Sequence, residues 1–298
     1  MSSAGIYVEI HIRGDMDELW QKTQQPDLHQ RWDLRFTSIT YLPREDDAPQ
    51  RFLYETRIGF GLAIAGEGES IGTKTSDHER TSSLRFRSAD PKSLIAEGRG
   101  YWKYIQTSNA VQFFTWYDYQ TRMGPFGRLA NLVFKPLMGW ATAWSFDRLR
   151  LWIEDSIPPE VALRWTIVYS IARASLIFIW LWHGGVPKLL SPQVDELRLL
   201  SASGLAPHWL PWFGAAEIVW ALAGLFAWRW RGFFALSALA MIAATLSVLK
   251  TLPGFFLHAF DPLTLNLSII ALCAIGWIAA PFAAFAGRCL RRPLRGIF

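Results

Sequence analysis

Four apolar runs, roughly residues 165 to 182, 209 to 228, 232 to 249 and 263 to 286, occupy the second half of this 298-residue chain. Each reaches the about 17 to 25 residues that a helix needs to cross about 30 Å of hydrocarbon. Trp165 stands opposite Trp180 and Trp182 across the first run, and Trp209 and Trp212 stand opposite Trp228 across the second. Indoles at those heights form the interfacial belt of spanning helices, because the ring is apolar and its N–H is polar. A buried core helix has no reason to sort its Trp residues in that way. The spacing predicts an integral membrane protein with a soluble front half.

Charge divides along the same line. Residues 1 to 160 hold 19 Lys and Arg against 21 Asp and Glu, whereas residues 161 to 298 hold 11 against 4, so the net charge of +5 arises in the apolar half. The excess sits in short loops and a tail beside the spans, which points to the lipid bilayer as partner and away from nucleic acid. Arg229 and Arg231 separate the second and third runs, and Arg288, Arg291, Arg292 and Arg295 follow the fourth. The opposite loops hold Lys188, Arg198 and Lys250, offset by Asp195, Glu196 and Asp261. Basic residues mark the cytoplasmic side, so the expectation is a multi-pass protein of the cell (inner) membrane with cytoplasmic N- and C-termini. The opening MSSAGIYVEIHIRGD has no apolar signal core. Cys273 and Cys289 form no motif that would hold zinc or a dithiol, and no flavin, haem or iron–sulfur motif is present. No metal site is expected.

In the front half, residues 6 to 13 alternate Ile6, Val8, Ile10 and Ile12 with polar neighbours, the period of a half-buried strand. Asp15, with Glu18 three residues on, opens a short helix, and Pro26 opens a second that ends near Trp32. Strand-like runs follow near 36 to 42, 51 to 60, 62 to 73, 82 to 88, 94 to 106 and 110 to 120. Six such runs imply a curved antiparallel sheet. Residues 126 to about 155 then read as one long helix with Leu129, Val133, Leu137, Trp140, Trp144 and Trp152 along one stripe, kinked at Pro136.

This order, together with the Arg31-Trp32-Asp33 triplet and the aromatic closing helix, resembles the helix-grip fold of the START and polyketide-cyclase (SRPBCC) superfamily. The resemblance implies an α+β domain whose sheet wraps the closing helix around a cavity for a hydrophobic small molecule. Strand parity nominates Tyr54, Trp102, Thr115, Tyr117, Trp140 and Trp144 as cavity residues, and the alternative is that these groups fill a core. His11, His29 and His78 read as surface histidines, and no nucleophile or paired carboxylate supports a cyclase or hydrolase.

Arg173 lies near the middle of the first run, where an insertion scale charges it about +2.5 to +3.5 kcal/mol. The eight Ile, Leu, Val and Phe residues of that run return only about −2.4 to −4.8 kcal/mol. An acidic partner is expected, and Glu217 is the carboxylate within the runs. At about 1.5 Å per residue it lies about 12 Å below the outer face and Arg173 about 13.5 Å. The expectation is an Arg173–Glu217 pair inside the bundle with Asn266 nearby, serving either as a functional site or as an ion pair that fixes helix register. Between the first two runs, residues 193 to 202 can form a short amphipathic helix with Val194, Leu197 and Leu200 on the membrane surface.

The arginine in the first span, the Gly-x-x-Pro-Lys-Leu of residues 184 to 189, Asp195-Glu196, the following Ser-Gly-Leu and Glu217 resemble the four-helix DoxX-like membrane family. That resemblance points to Arg173, Lys188 and Glu217. His183 and His258 lie near the outer ends of spans and read as interfacial groups.

The chain thus divides into a soluble domain at 1 to 156, a Pro-containing linker at 157 to 163, and a transmembrane domain at 164 to 298. The reading is a membrane protein whose cavity domain binds a lipid or quinone-like molecule and presents it to, or senses it for, a four-helix all-α bundle. The alternative is an accessory or quinone-binding subunit of a membrane oxidoreductase, served by a membrane redox partner. A homo-oligomer is compatible with either.

Overall fold

The computed structural model describes residues 5–44, 48–59, 61–258 and 261–293. They fall into two compact units. One comprises the chain up to Leu163 together with the residues from Ala284 onward, and the other is Arg164–Ala283.

The first unit begins with β1 (Ile6–Ile12), α1 (Met16–Gln24) and α2 (Pro26–Trp32). Six strands follow: β2 (Ser38–Tyr41), β3 (Arg51–Gly59), β4 (Leu62–Thr75), β5 (Glu79–Arg87), β6 (Ile95–Gln106) and β7 (Val111–Thr121). They form one antiparallel sheet in the order β1-β7-β6-β5-β4-β3-β2. Register shifts at Arg57/Gly59, Ser70/Gly72 and Ile95/Glu97 add the local twist that curves such a sheet. The closing helix α3 (Gly124–Glu154) continues through Pro136 and packs against β1 and β7. A sheet curved around one long helix is the helix-grip arrangement. Asp15 caps α1 by accepting from the backbone N–H groups of Asp17 and Glu18 at 2.9 and 3.0 Å. Buried Arg148 of α3 donates to the carbonyls of Arg31, Trp32 and Pro159, and burial pushes its guanidinium down to about 10.

The half-buried pattern expected of β1 is exceeded, since every residue from Ile6 to Ile12 except His11 is buried. The tail explains part of this. Leu290 exchanges two backbone hydrogen bonds with Glu9 at 2.9 Å. Trp144 donates its indole N–H to the Ala284 carbonyl at 3.1 Å, and Cys289 donates its thiol to the Ala143 carbonyl at 3.2 Å. The fourth apolar run of the sequence, 263 to 286, is therefore shared: its helix ends at Ala279, and residues from Ala284 belong to the first unit. Pro281 follows that helix end at once, and a proline cannot extend a helix from within. Arg295, counted above with the basic tail, lies outside the described residues.

The second unit carries α4 (Pro159–Gly185), α5 (Val194–Ala202), α6 (Leu210–Phe226), α7 (Gly232–Thr251) and α8 (Pro262–Ala279), with α4 starting in the first unit. Four segments are long and apolar enough to cross a membrane: Pro159–Leu190, Pro207–Phe226, Gly232–Thr251 and Pro262–Ala279. Helices α4 and α6 approach closely where both backbones lack a side chain. A Cβ on Gly184 would lie 2.5 Å from the Gly214 carbonyl, and one on Gly214 would lie 2.7 Å from that of Gly184. Trp182, Trp209 and Trp212 are exposed, as an interfacial belt requires, but Trp180 is buried and donates to Ser237 Oγ at 3.1 Å.

Candidate functional site

In the first unit the polar interior is organised by Asp33, which terminates α2. Its fully buried carboxylate accepts from His29 Nε2 at 3.0 Å, from Arg35 Nη2 at 2.6 Å, and from Arg35 Nε and backbone N at 2.9 and 3.0 Å. Burial alone would raise the Asp33 carboxyl, but the Arg35 guanidinium beside it holds it well below the usual carboxylate range. The Arg35 guanidinium lies over the rings of Tyr117 and Phe36, 5.5 and 5.6 Å from their centroids. His29 stacks on Trp32 and meets Phe36 and Trp102 edge-on. Burial pushes its imidazole down despite the Asp33 bond, so it is neutral at pH 7 and its Nε2 donates. His29 is thus not the surface histidine that its polar neighbours suggest, because α2 docks it under β6. His11 and His78 are exposed.

The six residues nominated for the cavity are distributed unevenly. Tyr54 meets Phe36 edge-on at 5.6 Å, and burial pushes its phenol up to about 12. Tyr117 shares a 2.9 Å hydrogen bond with Thr142 of α3, so Tyr54 and Tyr117 both border the Arg35 cluster through Phe36 or directly. Trp102 packs in the aromatic core between His29 and Phe113. Thr115 is buried and donates to the Tyr101 carbonyl at 3.0 Å. Trp144 is buried against the tail, and its stacking partner Trp140 is 44% exposed. None of the six lines either of two open hollows in this unit. One, of about 410 Å³, is bordered by Glu67, Arg87, Glu97 and Gln120. The other, of about 580 Å³, is bordered by Ile6, Lys135, Gly139, Arg291 and Arg292.

The membrane polar residues form three separate groups, and the expected Arg173–Glu217 pair is not made. Arg173 is fully buried and places all five of its N–H donors: Nε and Nη2 on the Gly224 carbonyl at 3.0 and 2.9 Å, Nη2 also on Ala227, and Nη1 on Trp230 and the Tyr169 hydroxyl. Four of these five bonds go to carbonyls at the C-terminal end of α6 and the turn beyond it, the negative end of the helix dipole. The depth estimate failed because it took Trp182 as the outer end of the span, whereas α4 runs on to Gly185 and Gly184 stands against Gly214 of α6. Arg173 therefore stands level with the far end of α6, about ten residues from Glu217.

Glu217 instead meets Lys188. A π-helical turn at Val186–Leu190 extends α4 and buries Lys188, whose Nζ lies 3.1 Å from Glu217 Oε2, 3.1 Å from Glu196 Oε1 of α5, and 3.2 Å from the His183 carbonyl. Three donors thus meet three acceptors. The Gly184–Gly214 contact sits beside this cluster, since a Cβ on Gly214 would also lie 2.9 Å from Lys188 Cβ. Asn266 of α8 is elsewhere, donating to Thr245 Oγ1 of α7 at 3.0 Å. A fourth polar point escaped the sequence reading: Ser237 accepts from both Trp180 and Trp220. Among the described residues no three His, Cys, Asp or Glu side chains converge to hold a metal ion.

Fold and bundle together define a membrane protein that joins a helix-grip unit to four apolar helices. The DoxX-like family model matches residues 177–274. The chain is 42% identical over 259 residues to the "uncharacterized membrane protein YndG" of Bacillus subtilis (strain 168), across 85% of this chain and 93% of that protein. It belongs to the same family as that protein and carries a DoxX-like domain. Among solved structures, the chain is similar at 12% identity and a TM-score of 0.41 to the di-domain ARO/CYC StfQ from the steffimycin biosynthetic pathway, over 51% of either chain. It thus spans about half the length of StfQ. It is also similar to the STAR-related lipid transfer protein of Xanthomonas axonopodis, at 13% identity and a TM-score of 0.38, over 48% of this chain and 82% of that one.

Proposed function

We propose that the helix-grip unit binds a hydrophobic small molecule with a polar head, a lipid or a quinone-like compound, and presents it to the membrane bundle or senses it on the bundle's behalf. The unit faces the cytoplasm from the inner membrane. The supporting observation is the Asp33–Arg35 pair set among Phe36, Tyr54 and Tyr117. A cation fixed by a carboxylate along one edge, with aromatic walls around it, suits a carbonyl or anionic head on an apolar body. Mass spectrometry of the protein extracted in mild detergent tests the reading. A defined apolar compound should accompany the wild type and be lost from Arg35→Ala. Its retention by that variant, or its absence from both, would refute the proposal.

A second reading is an accessory subunit of a membrane oxidoreductase. The Lys188 cluster favours it, because two carboxylates share one ammonium and retain one net negative charge that a proton can neutralise. Quinone reduction by membranes carrying Glu217→Gln, compared with wild-type membranes, measures that role directly.

A further inference from the structure

The N-terminal half of α3 leaves a large apolar stripe uncovered. Phe126, Leu129, Val133 and Leu137 follow one another at three- and four-residue steps, and each is more than half exposed. At 100° per residue they share one face with Trp140, which is 44% exposed. Leu132, 71% exposed, flanks the stripe, and beyond it Arg128 and Lys135 occupy the next edge of the same helix. The open hollow of about 580 Å³ lies along that edge, between α3, the start of β1 and the tail, and Arg291 and Arg292 complete its cationic rim. Arg291 is held there by a 2.8 Å hydrogen bond to the Pro136 carbonyl. Acidic residues are missing from both contributing segments: residues 124 to 146 contain no Asp or Glu, and neither do residues 284 to 298.

We propose that this face of α3, with the Arg291–Arg292 rim, docks on the headgroups and upper acyl chains of an anionic lipid leaflet. An exposed apolar stripe edged only by cations is the composition of an interfacial helix, and anionic headgroups supply the complementary charge. The covalent structure keeps a leaflet within reach. The chain passes from the first unit to the bundle at Leu163/Arg164, within α4, and returns at Ala283/Ala284, within five residues of the end of α8. The surface is independent of any ligand held near Arg35.

The test uses the full chain in lipid nanodiscs, with Val133→Cys carrying an environment-sensitive fluorophore and Cys273→Ala and Cys289→Ala removing the native thiols. Thr73→Cys on β4 is the reference position. Doxyl-labelled lipid should quench the Val133 label at least threefold more in discs containing phosphatidylglycerol than in pure phosphatidylcholine, and leave Thr73 unaffected. Salt at 1 M, where charges are screened beyond about 3 Å, should remove the difference, as should Lys135→Gln with Arg291→Gln and Arg292→Gln. The salt arm needs no further substitution, so it stands even where the triple variant misfolds. Equal quenching in both lipids overturns the assignment of anionic headgroups, and no quenching in either overturns docking altogether. A spectral shift that requires two protein copies per disc and ignores the doxyl group would assign the face to a second copy of the chain and likewise overturn the proposal.

Discussion

Asp147 of the closing helix accepts a hydrogen bond from the backbone N–H of Phe285 at 2.7 Å, across 138 residues of chain. The same buried carboxylate binds Arg150 Nε at 2.7 Å and lies 3.5 Å from Arg288 Nε. One acidic group thus ties the returning tail to α3 and neutralises the guanidinium beside it. Asp147→Ala leaves Arg150 with only Glu154 and Asp155 and removes one of the tail's attachments to α3, so a loss of about 3 kcal/mol is expected. Hydrogen exchange should show faster exchange in β1 and the C-terminal half of α3, with α6 to α8 unchanged. Protection of β1 equal to that of the wild type would rule out the clasp.

Arg173 supports a prediction about geometry more than charge. Its planar fork places five donors on four oxygens, which an ammonium with three donors cannot reproduce. Arg173→Lys should therefore destabilise the bundle by about 2 kcal/mol, the scale of a lost charge-assisted hydrogen bond. Thermal unfolding in detergent measures it. A lysine variant as stable as the wild type would show that only the positive charge at the end of α6 matters.

How far these features were visible in the chain depends on whether their causes are local. The strand runs, the closing helix and the second and third spans follow from periodicity and length and lie within about three residues of their expected places, whereas the first span begins six residues early, at Pro159, and the fourth ends seven residues early, at Ala279. The Arg173–Glu217 pair was misjudged because depth was counted from the ends of apolar runs, while the real acceptors are backbone carbonyls at a helix end, which no side chain announces. His29 was misjudged because Pro26–Trp32 reads as a polar segment, and its burial comes from Trp102, more than seventy residues away in sequence. The tail had a local signal in Pro281 and Gly287, but an uninterrupted apolar composition concealed that its residues leave the span and join the first unit.

The Lys188 cluster separates a structural ion pair from a functional one. Removing the ammonium leaves Glu217 and Glu196 facing each other without their common partner, and both side chains are partly exposed. Lys188→Met should therefore cost about 2 kcal/mol, below the cost of a fully buried pair. Adding Glu217→Gln should recover part of that loss, and the shortfall from additivity is the coupling energy. A double variant that regains stability and cellular function assigns the pair to helix register alone.

His29 gives the first unit a pH dependence of defined sign. In the unfolded chain its imidazole takes up a proton near the ordinary value of 6.5, and in the folded unit only at lower pH, because burial disfavours the cation. Between those values the unfolded state holds one more proton, so stability is complete above about pH 6.5 and declines as acid is added. Asp33 acts in the same direction but later. Its folded value lies below the unfolded one, so its contribution disappears only as pH falls through that depressed value. Unfolding of the first unit, followed by Trp fluorescence from pH 7.5 to 5, should show the first decline in the wild type and a flatter profile in His29→Gln. The same slope in both proteins would mean that the imidazole is protonated equally in the folded and unfolded states, and that its place against Asp33 has no bearing on acid stability.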